Sequence, residues 1–167
     1  MLIAPAQYVE MHQRVATALG LGRRPILIGI DGRDGHGKTS AASWLAWQFG
    51  MPALHLDLFS KLHEFERAME WRSSDLAGSV RARLERPLIV EGVLLLDALN
   101  KIDRKPDFLI FVDKEEPKRV RDRSLDHDLA DHRPFCLSNQ VTQYFERENP
   151  SARADFKLVW ADAPIRG

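Results

Sequence analysis

The segment Gly32-Arg33-Asp34-Gly35-His36-Gly37-Lys38-Thr39 constrains the fold more than any other stretch of the chain. It fits the pattern G-x-x-x-x-G-K-[ST], which carries meaning only between a β-strand and the first turn of an α-helix. Both flanks comply. Ile26-Leu27-Ile28-Gly29-Ile30 precedes it as a short apolar run, and Lys38 to Phe49 follows with helical patterning. In that setting the glycines turn backbone N–H groups inward around an anion, and the helix N-terminus adds partial positive charge. Lys38 then reaches the outer phosphates of a nucleotide, and the Thr39 hydroxyl reaches Mg²⁺. Gly32, Arg33, Asp34, Gly35, His36, Gly37, Lys38, Thr39 and Ser40 are the expected phosphate-binding set.

The rest of the chain repeats the same alternation. Ala53 to Leu56, Leu88 to Val90, Phe108 to Val112 and Phe156 to Trp160 are short apolar runs, four more candidates for buried parallel strands. Helical patterning fills the intervals: Pro5 to Leu19, Lys38 to Phe49, roughly His63 to Glu85, Leu94 to Asn100, Glu116 to Leu129 and Leu137 to Glu148. Strand and helix in alternation predict an α/β fold in which helices cover both faces of a parallel, roughly five-stranded sheet. Ligands of such sheets bind at the carboxyl ends of the strands. Asp31, Asp57, Glu91 and Asp113 each follow an apolar run, so acids are expected at that end.

Composition removes several classes of function. The chain has 167 residues with 24 Lys+Arg against 24 Asp+Glu, a balance that gives no electrostatic reason to expect nucleic acid as a partner. It is long enough for one domain with a single core, and no repeat or Gly/Ser linker divides it, so residues 1–167 are read as one domain with an N-terminal helix within 1–22. No apolar stretch approaches the roughly 18 residues of a membrane span, and the N-terminus lacks a basic region followed by a long apolar one, so no membrane partner and a cytoplasmic location are expected. Cys136 stands alone among apolar neighbours and reads as a buried thiol.

What happens to a bound triphosphate depends on the acids opposite the loop. Asp57, after His55-Leu56, is placed to accept a proton from an attacking hydroxyl, or else serves as a turn residue. Glu91, beside Gly92, is a candidate Mg²⁺ ligand together with Thr39, or a substrate contact. Arg119 and Arg123, one helical turn apart with Arg121 between them, can close over a triphosphate as part of a lid at about 114–135, or form a solvated face laced with ion pairs. Trp71 and Arg72 lie between Asp57 and Glu91 and can hold an acceptor, although a tryptophan is more often core.

Taken in order, these pieces resemble the uridine kinase and phosphoribulokinase-like group of P-loop small-molecule kinases. The resemblance rests on Ile28-Gly29-Ile30-Asp31-Gly32 leading into Gly35-His36-Gly37-Lys38-Thr39-Ser40, on Leu54-His55-Leu56-Asp57-Leu58-Phe59, and on Leu88-Ile89-Val90-Glu91-Gly92-Val93-Leu94-Leu95. It continues through Pro106-Asp107-Phe108-Leu109-Ile110-Phe111-Val112-Asp113 to Tyr144, Pro150 and Ala154-Asp155. It implies a P-loop NTPase three-layer sandwich, ATP and Mg²⁺ as cofactors, and transfer of the γ-phosphate to a hydroxyl of a small nucleoside- or sugar-like acceptor. By position it implies phosphates at Gly32 to Thr39, Mg²⁺ at Thr39 and near Glu91, an acceptor-activating Asp57 and lid arginines among Arg119, Arg121 and Arg123; joined to the reading of the residues above, this makes Lys38, Asp57, Arg119 and Arg123 the expected catalytic residues and Asp57, Trp71, Arg72 and Glu91 the expected acceptor contacts. Two positions depart from the group's pattern: Leu58-Phe59-Ser60 follows the strand-end Asp57, and Leu125 precedes Asp126 in the lid.

Two rival readings share the phosphate loop. One is a nucleotide-binding regulatory protein without transfer activity. The other is a small GTPase, since Asn100-Lys101-Ile102-Asp103 fits the guanine-reading N-K-x-D pattern and Asp75-Leu76-Ala77-Gly78 fits D-x-x-G. The latter demands that D-x-x-G end a buried strand, which the polar Glu70-Trp71-Arg72-Ser73-Ser74 before it does not suit.

Overall fold

A computed structural model describes residues 5–61, 68–115 and 137–160. The strands are β1 (Leu27–Gly32), β2 (Ala53–His55), β3 (Leu88–Glu91), β4 (Phe108–Lys114) and β5 (Phe156–Trp160). They form one sheet in the order β2-β3-β1-β4-β5, and every pairing is parallel. The helices are α1 (Ala6–Leu19), α2 (Lys38–Phe49), α3 (Ser73–Arg83), α4 (Leu95–Asn100), α5 (Leu137–Glu148) and α6 (Pro150–Arg153).

Strand periodicity decides which residue meets which layer, because successive side chains point to opposite faces. Ile28 and Ile30 of β1, Ile89 of β3, Ile110 and Val112 of β4, and Phe156 and Leu158 of β5 pack with Met11 and Val15 of α1 and with Ala41, Ala42 and Leu45 of α2. Leu27, Leu88, Val90 and Leu109 face the other way, onto Leu76 and Val80 of α3, Leu95, Ala98 and Leu99 of α4, and Tyr144 of α5. Strands buried on both faces are continuously apolar for this reason, and the expected α/β three-layer sandwich is the observed one.

Two elements differ from the sequence expectation. Of the helical stretch expected over roughly 63–85, α3 covers Ser73–Arg83 and residues 68–72 are non-helical, with Trp71 bridged to Ser60. Their extended path has a tertiary cause: the Gln140 side chain of α5 accepts the Met69 amide at 2.6 Å and donates to the Met69 carbonyl at 3.1 Å. β1 in turn runs on past Ile30, since Asp31 and Gly32 pair with Phe111 and Val112. The backbones come so close there that a Cβ on Gly32 would collide with the Val112 carbonyl oxygen. The helix expected over Glu116 to Leu129, and Cys136, lie outside the described residues. No helix among the described residues is long and apolar enough to cross a membrane.

Candidate functional site

β1 is the central strand, with β3 on one side and β4 on the other, and the chain leaves its carboxyl end into the glycine-rich loop. That is where the connections diverge to opposite sides of the sheet, the place an open α/β sheet offers a crevice. Gly37, at φ +86°, turns the loop into α2, and its open face lies against the Trp160 ring of β5. A side chain at Gly37 would meet that ring and a backbone conformation that L residues resist. Trp160 Nε1 donates to the His36 carbonyl at 2.7 Å, and His36 Nδ1 lies 3.1 Å from Asp113 Oδ1 on β4. The loop is thus held in shape from the sheet beneath it.

Among the described residues the buried charged side chains are Asp31, Lys38 and Glu91, all at this end of the sheet. Lys38 folds back so that Nζ donates to the Arg33 carbonyl at 2.8 Å. Burial lowers its pKa, while the negative charges of Glu91, Asp34, Asp31 and Asp57 oppose that shift. The ammonium group is therefore a cation surrounded by carboxylates. Anionic phosphate oxygens entering the loop would replace the Arg33 carbonyl as its partner.

Glu91 ends β3 on the sheet face that α2 covers. Its Oε1 accepts the Thr39 hydroxyl from the first turn of α2 at 3.0 Å, and His55 Nδ1 from the end of β2 at 2.6 Å. A hydroxyl and a carboxylate in contact are hard oxygen donors of the kind Mg²⁺ takes, so Thr39 and Glu91 fit that ion. Gly92 beside Glu91 is filled by packing, since a Cβ there would lie 2.6 Å from Leu56 Cβ.

On the opposite face of β1, Asp31 Oδ1 accepts the Gly32 amide at 2.7 Å and Oδ2 accepts the Tyr144 hydroxyl. The Leu96 amide donates to that hydroxyl at 3.2 Å. Burial raises the Asp31 pKa to about 7, against the Tyr144 and Gly32 hydrogen bonds and the Lys38 charge. It raises the Tyr144 hydroxyl as well, and Asp31 adds to that shift. Next to Tyr144, the Phe145 ring carries the Arg33 guanidinium at 4.7 Å from its centroid.

The remaining sequence candidates divide. Asp57 lies exposed in the first turn of a 3-10 segment over Leu56–Phe59 directly after β2, where a negative charge suits the amino end of the turn. The turn is closed by the Ser60 amide and hydroxyl on the Asp57 carbonyl. Arg72 is exposed and donates from Nη2 to the Leu58 carbonyl at 2.5 Å, with Asp75 3.3 Å from Nη1, which ties the turn to the start of α3. Trp71 is no stacking platform: 3% exposed, it packs into the core under α3 and α4, with Lys101 Nζ 5.2 Å from its ring centroid. Ser40 is exposed in the first turn of α2. Arg119 and Arg123 lie outside the described residues.

The GTPase reading is overturned by placement. Asn100 ends α4 and lines a groove of about 590 Å³ with Pro25, Leu27 and Asp107, at the amino ends of β1 and β4 and so across the sheet from the phosphate loop. Asp75 to Gly78 lie inside α3 and end no strand.

In the sequence Tyr144 stands out only through a resemblance, and His55 carries no motif. Asp31 and Tyr144 stand 113 positions apart, and His55 and Glu91 stand 36 apart. No local spacing marks either pair; the register of β2 against β3, with His55 opposite Glu91, is what joins the second.

No protein-family model matches the chain, and no curated protein matches it. Among solved structures it is similar to a possible uridine kinase from Bacillus stearothermophilus, at 16% identity and a TM-score of 0.56 over 89% of this chain and 99% of that one. It is also similar to a candidate fructose transport system kinase from Silicibacter sp. TM1040, at 16% identity and a TM-score of 0.50 over 92% and 99% of the two chains. The chain therefore has the α/β fold of P-loop kinases, the architecture its motifs resemble.

Proposed function

We propose that this chain belongs to the uridine kinase and phosphoribulokinase-like group and transfers the γ-phosphate of ATP to a hydroxyl of a small nucleoside- or sugar-like metabolite. The observation that carries this reading is the meeting of Lys38, Thr39 and Glu91 at the carboxyl end of the central strands, with Asp57 near enough for its charge to act on Lys38. Loop amides and Lys38 bind and orient the phosphates, which supplies the positioning and charge stabilisation on which phosphoryl transfer chiefly depends. Thr39 and Glu91 would hold Mg²⁺, which when bound neutralises charge on the β- and γ-phosphates. Asp57 accepts or orients the proton of the acceptor hydroxyl. Arg119 and Arg123 are assigned the closing, charge-stabilising role of the lid.

The kinase neighbours support the reaction class, and the acceptor is chosen by experiment. ADP release from ATP is to be measured with nucleosides, pentoses, sugar phosphates and pantothenate-like alcohols. Acceptor-dependent release with one class supports the kinase. Tight ATP binding with no release above the acceptor-free rate would favour the regulatory reading instead.

A further inference from the structure

We infer that His55 is a positioning residue for the cation site: its Nδ1–H holds Glu91 Oε1 beside Thr39, so the other carboxylate oxygen is already aimed when Mg²⁺ and nucleotide arrive. The inference rests on the kinase reading above and names a component of that site which the motifs did not supply.

Three observations carry it. First, β2 and β3 pair in parallel with His55 directly opposite Glu91, which puts both side chains on the face covered by α2, whose first turn carries Thr39. Second, both donors converge on one atom. Thr39 Oγ1 lies 3.0 Å and His55 Nδ1 2.6 Å from Oε1, and no described residue donates to Oε2. An ionised carboxylate only accepts, so the proton of this hydrogen bond sits on Nδ1 of His55. Third, the Glu91 side chain is 3% exposed and the His55 side chain 31% exposed. Glu91 is cut off from the water that would otherwise solvate Oε1, and His55 replaces it.

An alternative is that His55 merely fills space at the end of a short edge strand. The two roles separate in the cation dependence of nucleotide binding. Asn carries its N–H on the atom bonded to Cγ, as Nδ1 is, so His55→Asn retains the donor; His55→Leu retains bulk and loses it. ATP affinity is to be titrated for the wild type and both variants, with Mg²⁺ and with EDTA, alongside thermal melting. In EDTA all three proteins are expected to bind ATP alike, since Lys38 and the loop amides are unchanged. In Mg²⁺ titrations His55→Leu is expected to need about 10-fold more cation or greater, the usual effect of removing a group that orients a metal ligand, while His55→Asn stays within about 3-fold of the wild type.

Wild-type cation dependence in His55→Leu overturns the inference, as does equal impairment of both variants. If His55→Leu does not melt cooperatively, His55→Met gives the same comparison, since it retains bulk and carries no N–H donor. A wild-type protein that binds no ATP in either condition removes the kinase reading and this inference with it, whereas loss of the His55 effect alone leaves the kinase reading standing.

Discussion

The Tyr144 hydroxyl on α5 donates to the buried carboxylate of Asp31 and at the same time accepts the Leu96 amide, joining the end of β1 to two helices of one layer. The pKa of Asp31, raised from 3.8 to about 7, makes this junction sensitive to pH. Below pH 3.8 the group is protonated whether the chain is folded or unfolded and contributes nothing. Between there and about 7 the folded chain keeps a proton that the unfolded chain releases, so stability falls as pH rises, and it levels off above about 7. The slope is at most ~1.4 kcal/mol per pH unit. Denaturation of the wild type and of Asp31→Asn between pH 4 and 8 is expected to show a decline that the variant lacks; parallel curves would assign the decline to other groups.

Lys38→Ala is expected to weaken ATP binding and to lower turnover by about 100-fold or more, the scale seen when one preorganised donor to a developing charge is removed. The backbone of the loop should persist, because Trp160 and Asp113 hold His36 without help from Lys38. Isothermal titration and single-turnover rates on a protein with unchanged circular dichroism provide the check. Full activity would remove the loop from the reaction.

Asp57→Asn separates chemistry from binding. The side chain is exposed and Asn is nearly isosteric with it, so the fold and ATP affinity are expected to survive. kcat is expected to drop by about 10²–10⁴-fold if the carboxylate takes the acceptor proton. An unchanged kcat would take Asp57 out of the site, and loss of ATP affinity with intact structure would place it with the nucleotide.

Asn100→Ala is expected to leave the preference for ATP over GTP within about threefold of the wild type, because the residue lies across the sheet from the phosphate loop. Competition between the two nucleotides for the wild type and variant measures it. A strong GTP preference that disappears on substitution would contradict this placement.

The layers were legible in the sequence because β-branched runs such as Leu88-Ile89-Val90 can be buried on both faces only in a sheet covered by helices, and the phosphate loop was legible because its function is local to one turn. Trp71 could be weighed only by residue type, and core packing proved stronger than its neighbourhood in sequence. Residues 68–72 departed from helical patterning because Gln140, far along the chain, supplies hydrogen bonds that a helix would have kept within itself. His55 shows the same limit: its partner is set by strand register, and register becomes visible only when two distant segments lie side by side.

The central position of β1 also governs when the site can come into being. Its partners β3 and β4 lie roughly 60 and 80 residues further along, so the strand that feeds the phosphate loop stays unpaired until most of the chain is available to close those long loops. During synthesis a nascent chain ending before Phe108 has the whole motif and lacks the β4 pairing that aligns Asp31 and Gly32. Completion of the loop's surroundings is thus a late event in the folding of this protein, and a fragment carrying the loop with only the first two strands lacks both neighbours of β1.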